Sequence, residues 1–300
     1  MTIRVEMLQA ARAAPKTLGE SAGLVQEFLR RQQNADGGFR DRAGKSDIYY
    51  TVFGIDGLLA LGGEPQIGRL ADYLRSFGNG DGLGLVHLCC LARCWAAISE
   101  CGEPPPAGSI KCDLLSRIEG FRSPDGGYHP EAGKGAGTAY GDFLALSAYQ
   151  DLQHAIPNPR GLVQGLESLA TEDAAWANDR SVRVGSTAAT AAAVLVLQHL
   201  ENPVNPAVGT WLMARAHPQG GFLAMPNAPI PDLLSTATAI HTLAALGMSL
   251  DPIRESCLDF IDSLWTNQGA FHGLWTDEAL DCEYTFYALL ALGHLSLQEV

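Results

Sequence analysis

The sequence predicts an all-α fold in which six helical hairpins close into a ring, an α/α toroid. Two observations favour it. Segments of one design recur about every 50 residues, a spacing typical of repeat architectures. Each repeat also joins an amphipathic stretch to a very apolar one through a short Gly-rich loop, and strand-like alternation is nearly absent.

The apolar stretches are long enough for helices and are apolar nearly all round, so we expect them to form a buried inner layer. Between the stretches that begin at Asp47 and Gly137 the spacing is about twice the usual repeat. A further apolar stretch lies there, LVHLCCLARCWAAISECG, with His87 at the anchor position, which makes six. The other five begin at Asp47, Gly137, Arg183, Asp232 and Asp281.

The loops before these helices share a Gly turn, as in QNADGGF, SPDGGYHP, HPQGGF and NQGAFHG. Glycine allows the positive φ that such turns need. The stretches before the loops, such as SAGLVQEFLRRQQ, are amphipathic and are predicted to form an outer layer.

The last apolar stretch, YTFYALLALGHL, indicates that the ring is closed. An open array needs a polar terminal repeat, and this segment is as apolar as the central ones. Packing the last hairpin on the first would bury it. We therefore predict one toroid domain over residues 1–300, with all inner helices starting at one mouth of a central cavity.

Composition excludes several classes of function. The chain is 47% hydrophobic and carries a formal net charge of −13, so a broad nucleic-acid surface is not expected. No segment approaches the ~20 apolar residues of a membrane span, and no secretory signal is expected at the N-terminus. The seven cysteines form no CxxC pair, which favours reduced thiols and a cytoplasmic location.

Arg42 and Lys45 form a local basic pair in the loop that enters the first inner helix. Free N–H groups at the helix starts would add a positive potential there. Together they suit a diphosphate. The alternative is that both are solvated loop charges.

Aromatic residues are predicted to line the cavity below this mouth. Aromatic walls suit a long apolar ligand, and their faces stabilise a carbocation. Ordinary core packing is the alternative for each one. The residues are Tyr49, Phe53, Phe143, Tyr284, Phe286 and Tyr287.

The segment QNADGGFRDRAGKSDIYYTVFG resembles the Gly-rich loop of protein prenyltransferase β subunits, which share their toroid with squalene-hopene and other class II terpene cyclases. The resemblance implies isoprenoid diphosphate binding by Arg42, Lys45 and Tyr50. It also implies prenyl transfer, with a helical α-type partner subunit.

The same resemblance implies zinc binding by Asp47 and His87. The family's third ligand is a Cys, and this chain has Tyr49 there. Zinc usually takes three protein ligands and an open position, so either zinc or no cofactor is expected.

A second motif, DCEYT, resembles the Asp-x-Asp-Asp-Thr acid motif of the class II cyclases and starts at Asp281. It implies that Glu283, beside Asp281, protonates a polyprenoid. Helix capping by Asp281 is the alternative. A third hypothesis is a non-catalytic toroid that binds a lipid or a protein partner.

Overall fold

The computed structural model describes residues 1–296, which fold into helices with one short hairpin of strands. Two 3-10 turns cover Gly19–Ser21 and Asp251–Ile253, and the strands are β1 (Trp265–Thr266) and β2 (Ala270–Phe271). The α-helices of this described part are α1 (Ile3–Ala11), α2 (Pro15–Leu18), α3 (Ala22–Gln32), α4 (Ile48–Ala60), α5 (Ile67–Arg75), α6 (Leu85–Glu100), α7 (Gly108–Glu119), α8 (Ala139–Asp151), α9 (Pro159–Glu167), α10 (Thr187–His199), α11 (Ala207–Met213), α12 (Leu233–Ala245), α13 (Arg254–Ser263) and α14 (Cys282–Ser296).

The even-numbered helices from α4 to α14 form the inner layer. Each packs on the next, and α14 packs on α4, so the ring is closed as predicted. Outer helices such as α3, α5 and α13 pack on this layer. The final four residues of the predicted domain lie outside the described residues.

One hydrogen bond, repeated around the ring, ties each Gly-rich loop to the helix that follows it. A backbone N–H of the loop donates to a polar side chain in the first turns of the inner helix, which fixes where the loop lies over the mouth. The pairs are Phe39 to Thr51 (2.9 Å), Tyr128 to Asp142 (2.6 Å), Trp176 to Thr190 (3.0 Å) and Phe222 to Thr236 (2.9 Å).

The loop turns explain why one repeat is hard to detect in the sequence. Gly37 and its equivalents Gly126, Gly220 and Gly269 have positive φ. In the fourth repeat the equivalent residue is Ala174, whose φ is 66°. The fourth repeat therefore keeps the turn conformation of the backbone although it lacks the glycine.

Helix α1 closes the end of the ring opposite the mouth, which the repeat pattern did not predict. The guanidinium of Arg4, 1% exposed, lies 3.3 Å from Asp56 and 3.8 Å from Asp151 and pairs with Glu100. These three carboxylates lie toward the C-terminal ends of α4, α8 and α6. Arg4 therefore fastens α1 across three inner helices.

Within residues 1–296, every helix is too short or too polar to cross a bilayer.

Candidate functional site

The inner helices surround a cavity of about 470 Å³ that contains both apolar and polar groups. Five aromatic side chains line it, together with aliphatic residues of α10 and Met7 of the floor helix α1. The aromatic residues are Tyr49, Phe53, Tyr140, Phe143 and Tyr287.

Four of the six predicted cavity aromatics are in this lining: Tyr49, Phe53, Phe143 and Tyr287. The structure places Tyr284 and Phe286 outside it, because Glu283, Tyr287 and Leu290 form the inward face of α14 and the residues between them are turned away. Phe286 is fully buried in the layer behind, with its ring 6.0 Å from that of Phe53.

Tyr140 is a cavity residue that sequence reasoning missed. It follows Thr138 at the start of α8, in the same register as Tyr49 after Asp47 on α4. Aligning the helix starts of the repeats would have identified it.

Glu283 places a carboxyl group in the cavity wall. The Tyr49 hydroxyl donates to its Oε1 at 2.6 Å. Burial, with a further contribution from the charge of Asp281, raises the pKa of Glu283 to about 7, and the Tyr49 hydrogen bond opposes this. A large share of Glu283 is therefore a neutral acid near neutral pH.

Asp281 is held in a structural network beside Glu283. One of its oxygens accepts from the backbone N–H of Tyr284 at 2.9 Å, which caps α14. The other accepts from Nε of Arg42 at 2.8 Å. Its two oxygens are thus both used in capping and ion pairing, as the capping alternative supposes.

Arg42 lies between two carboxylates, because its Nη2 also donates to Asp277 at 3.0 Å. Its charge is compensated by Asp277 and Asp281, which use two of its five N–H donors, and diphosphate binding by this exposed guanidinium stays a prediction. Lys45 is exposed in the same loop, and the ring of Tyr50 packs against that of Tyr49 at 5.5 Å. Neither lines the cavity.

One of the expected free N–H groups is engaged by a side chain at the start of five of the inner helices. The N-cap side chain accepts from it, which lowers the capacity of this mouth for an anion. The caps are Asp47, Thr138, Ser186, Asp232 and Asp281.

Asp47 and His87 do lie together, with Oδ2 and Nε2 3.9 Å apart. The third position of a zinc site is Tyr49, whose hydroxyl is bonded to Glu283. Across residues 1–296, no three His, Cys, Asp or Glu side chains are grouped to hold a metal. Two ligands do not make a zinc site, so these residues do not fit the metal.

The inner end of the cavity has charged and polar residues that the sequence analysis did not single out: Arg93 and Asp151. Arg93 donates to Oδ2 of Asp56 from Nε (3.1 Å) and Nη2 (2.8 Å). Burial raises the pKa of Asp151 to about 6, against the nearby cations of Arg93 and Arg4. An arginine inside the apolar segment LVHLCCLARCW was the available signal.

His241 also lines this inner end. Its Nδ1 lies 2.8 Å from Nε2 of His294. Burial lowers the pKa of His241 to about 3 and that of His294 to about 4, so both rings are neutral near pH 7.

Solved structures with this architecture differ widely in what they act on. The type II terpene cyclase MstE from Scytonema, in complex with geranylgeranyl dihydroxybenzoate, is 11% identical, with a TM-score of 0.62 and 98% of each chain covered. Protein geranylgeranyltransferase-I from Candida albicans, complexed with GGPP, is 13% identical, with a TM-score of 0.52, covering 95% of this chain and 81% of the other.

The α-1,6-mannanase GH76A from Salegentibacter is 13% identical, with a TM-score of 0.63, covering 92% of this chain and 98% of the other. Identities this low indicate a shared fold only. No curated protein matches the chain.

Residues 12–89 and 169–299 match the prenyltransferase alpha-alpha toroid domain, well over half of the sequence. The chain therefore belongs to the prenyltransferase alpha-alpha toroid family.

Proposed function

We propose that the protein is a terpene cyclase of the class II type, in which Glu283 protonates a polyprenoid held in the central cavity. The observation that carries the proposal is a carboxyl group, in an aromatic-lined cavity, whose pKa is raised to about 7. A general acid works best when its pKa is near the working pH.

Tyr49 sets which oxygen of Glu283 delivers the proton. Because the Tyr49 hydroxyl donates to Oε1, the proton of the neutral acid is on Oε2. Its transfer to one carbon of a terminal double bond leaves the other carbon cationic. The next double bond then attacks that carbon and closes a ring. Loss of a proton to water gives a neutral product, and the Glu283 carboxylate regains a proton from water.

The aromatic walls support the cationic steps. The ring of Phe53 lies between two others: its centroid is 5.1 Å from that of Tyr49 and 5.5 Å from that of Tyr287. Their faces stabilise a cation without a nucleophile that would trap it. Cys89 and Cys90 also line the cavity, and burial raises the pKa of Cys90 to about 12, so that thiol stays protonated.

The size of the cavity favours a short isoprenoid. A volume of about 470 Å³ holds roughly 15 non-hydrogen atoms, at the volume that a water molecule occupies in the liquid. This matches a chain of three isoprene units. Two of the structural neighbours are described with geranylgeranyl compounds, which supports an isoprenoid ligand here.

A glycosidase, the activity of the mannanase neighbour, is disfavoured by the spacing of carboxylates. Such enzymes flank the scissile bond with two carboxylates about 5–9.5 Å apart. The acidic residues of this cavity wall are Glu283 and Asp151. Glu283 is in the first turn of α14 and Asp151 is the last residue of α8. At 1.5 Å per helical residue, their positions along the cavity axis differ by roughly 16 Å.

Prenyl transfer with an α-type partner remains a prediction of the family resemblance. A non-catalytic toroid that binds a lipid or a protein partner remains the third hypothesis, and the Tyr49 in place of the family's Cys is its main argument. The compensated charge of Arg42 and the incomplete zinc ligand set favour protonation over transfer. A cytoplasmic location also remains a prediction, supported by seven unpaired cysteines.

The test is turnover of farnesol, farnesyl diphosphate and geranylgeranyl diphosphate, with products identified by mass spectrometry. We expect cyclic isomers from the natural protein and at least a 100-fold loss of rate in Glu283→Gln, since removal of a general acid costs about that much. Glu278→Gln, an exposed change on the preceding loop, is the matched control. Equal rates in both variants would contradict the proposal, and binding without turnover would favour the non-catalytic role.

A further inference from the structure

Two polar atoms at the inner end of the cavity have no hydrogen-bond partner among residues 1–296. They are Oδ2 of Asp151 and Nε2 of His241. Both side chains are almost completely buried, at 2% exposed for Asp151 and 5% for His241, and both line the cavity. Buried polar atoms of this kind normally find a partner.

The other polar atom of each side chain faces a protein group. The other oxygen of Asp151 lies 3.8 Å from Nε of Arg4. Nδ1 of His241 is bonded to His294 at 2.8 Å. When that nitrogen carries the proton and donates to His294, Nε2 of His241 is an acceptor.

These acceptors lie far below Glu283 in the cavity. Glu283 is in the first turn of α14, whereas His241 and Asp151 are in the third and fourth turns of α12 and α8. At 1.5 Å per residue they are roughly 10 and 16 Å deeper. The apolar wall of α10 lies between the two levels.

We propose that this inner end is a second binding site, which accepts a hydrogen bond from the hydroxyl group of an alcohol or phenol. A single hydroxyl hydrogen pairs with one of these acceptors, Oδ2 of Asp151 or Nε2 of His241, and the hydrocarbon chain of the ligand is directed toward Glu283. The orientation rests on the proposed function, because it brings the distal double bond to the acid. The binding itself does not depend on catalysis.

The experiment compares two probes of nearly equal size by equilibrium binding: farnesol, which donates a hydrogen bond, and farnesyl methyl ether, which cannot. We expect farnesol to bind about tenfold more tightly, the effect of pairing a buried acceptor. The preference should fall to about onefold in His241→Phe combined with Asp151→Leu, because this variant has neither acceptor. Ser147→Ala, which removes a different hydroxyl of the cavity wall, is the control and should leave the preference unchanged.

An equal affinity for the two probes in the natural protein would overturn the proposal, and so would a failure to bind either. A preference that survives in the combined His241→Phe and Asp151→Leu variant, or that is lost only in Glu283→Gln, would place the hydroxyl elsewhere and overturn it as well. The proposed function is tested separately by the turnover of Glu283→Gln. Loss of turnover with no probe preference would refute this site alone.

Discussion

The two ends of the cavity use polar residues in opposite ways. At the mouth, Glu283 is bonded to Tyr49, and Arg42 is bonded to Asp277 and Asp281. At the floor, Asp151 and His241 each keep one buried atom with no partner in the described part of the chain. The mouth is complete without a ligand, and the floor is not.

This difference separates two tasks that one polar cluster could not perform together. An acid that protonates an alkene needs a desolvated, neutral carboxyl in a fixed orientation, which the mouth supplies. Recognition needs buried groups that only the correct ligand satisfies, which the floor supplies. The intervening apolar wall keeps the floor acceptors away from the proton of Glu283.

The largest expected effect concerns the floor. Arg4→Ala removes the cation that joins α1 to Asp56, Glu100 and Asp151, so the buried carboxylate of Asp151 loses its Arg4 contact while Asp56 keeps its pair with Arg93. We expect a loss of about 3–5 kcal/mol in the free energy of unfolding, measured by urea denaturation.

Arg75→Ala is the matched control. This arginine pairs with Asp72 at 2.8 Å while half exposed, and loss of such a surface pair costs about 0–1 kcal/mol. Similar losses for Arg4→Ala and Arg75→Ala would show that α1 is not fastened by Arg4.

A smaller effect is expected from a change of pH, which should lower the reaction rate at the mouth without weakening ligand binding at the floor. Because the pKa of Glu283 is raised to about 7 and the acid acts in its protonated form, the rate should be level below about pH 6. It should then fall about tenfold per pH unit above 7. A rate that rises through this range would contradict an acid at Glu283. Farnesol binding at the floor should not weaken through the same range, since Asp151 loses its proton near pH 6 and becomes a stronger acceptor.

The smallest effect is expected for Tyr49→Phe. The Tyr49 hydrogen bond lowers the pKa of Glu283, so its loss should move the pH midpoint of the rate upward. It also stabilises the carboxylate that forms on proton transfer, so the rate below the midpoint should fall severalfold. Tyr50→Phe, whose ring lies outside the cavity lining, should change neither quantity.

The repeats made the fold predictable, because each one contains its own loop, turn and helix signals. Closure of α14 on α4 followed from the apolar last helix. The role of α1 did not, since its short sequence IRVEMLQAA carries no repeat and Arg4 reads as an ordinary surface residue.

The site was only partly predictable, because its contacts join distant parts of the chain. Glu283 and Tyr49 were each identified from a motif, but they are separated by 234 positions and meet only because the ring closes. The pairing of Arg42 with Asp277 has the same cause. Asp151 is the last residue of α8 and resembles a solvated helix end until α1 covers it.

The most direct test of the account is a titration of Glu283 itself, by NMR of protein labelled at glutamate side-chain carboxyl carbons and assigned with Glu283→Gln. The account predicts a pKa of about 7. A value near 4.3, the ordinary pKa of glutamate, would mean a fully ionised carboxylate at neutral pH and would contradict protonation from this residue.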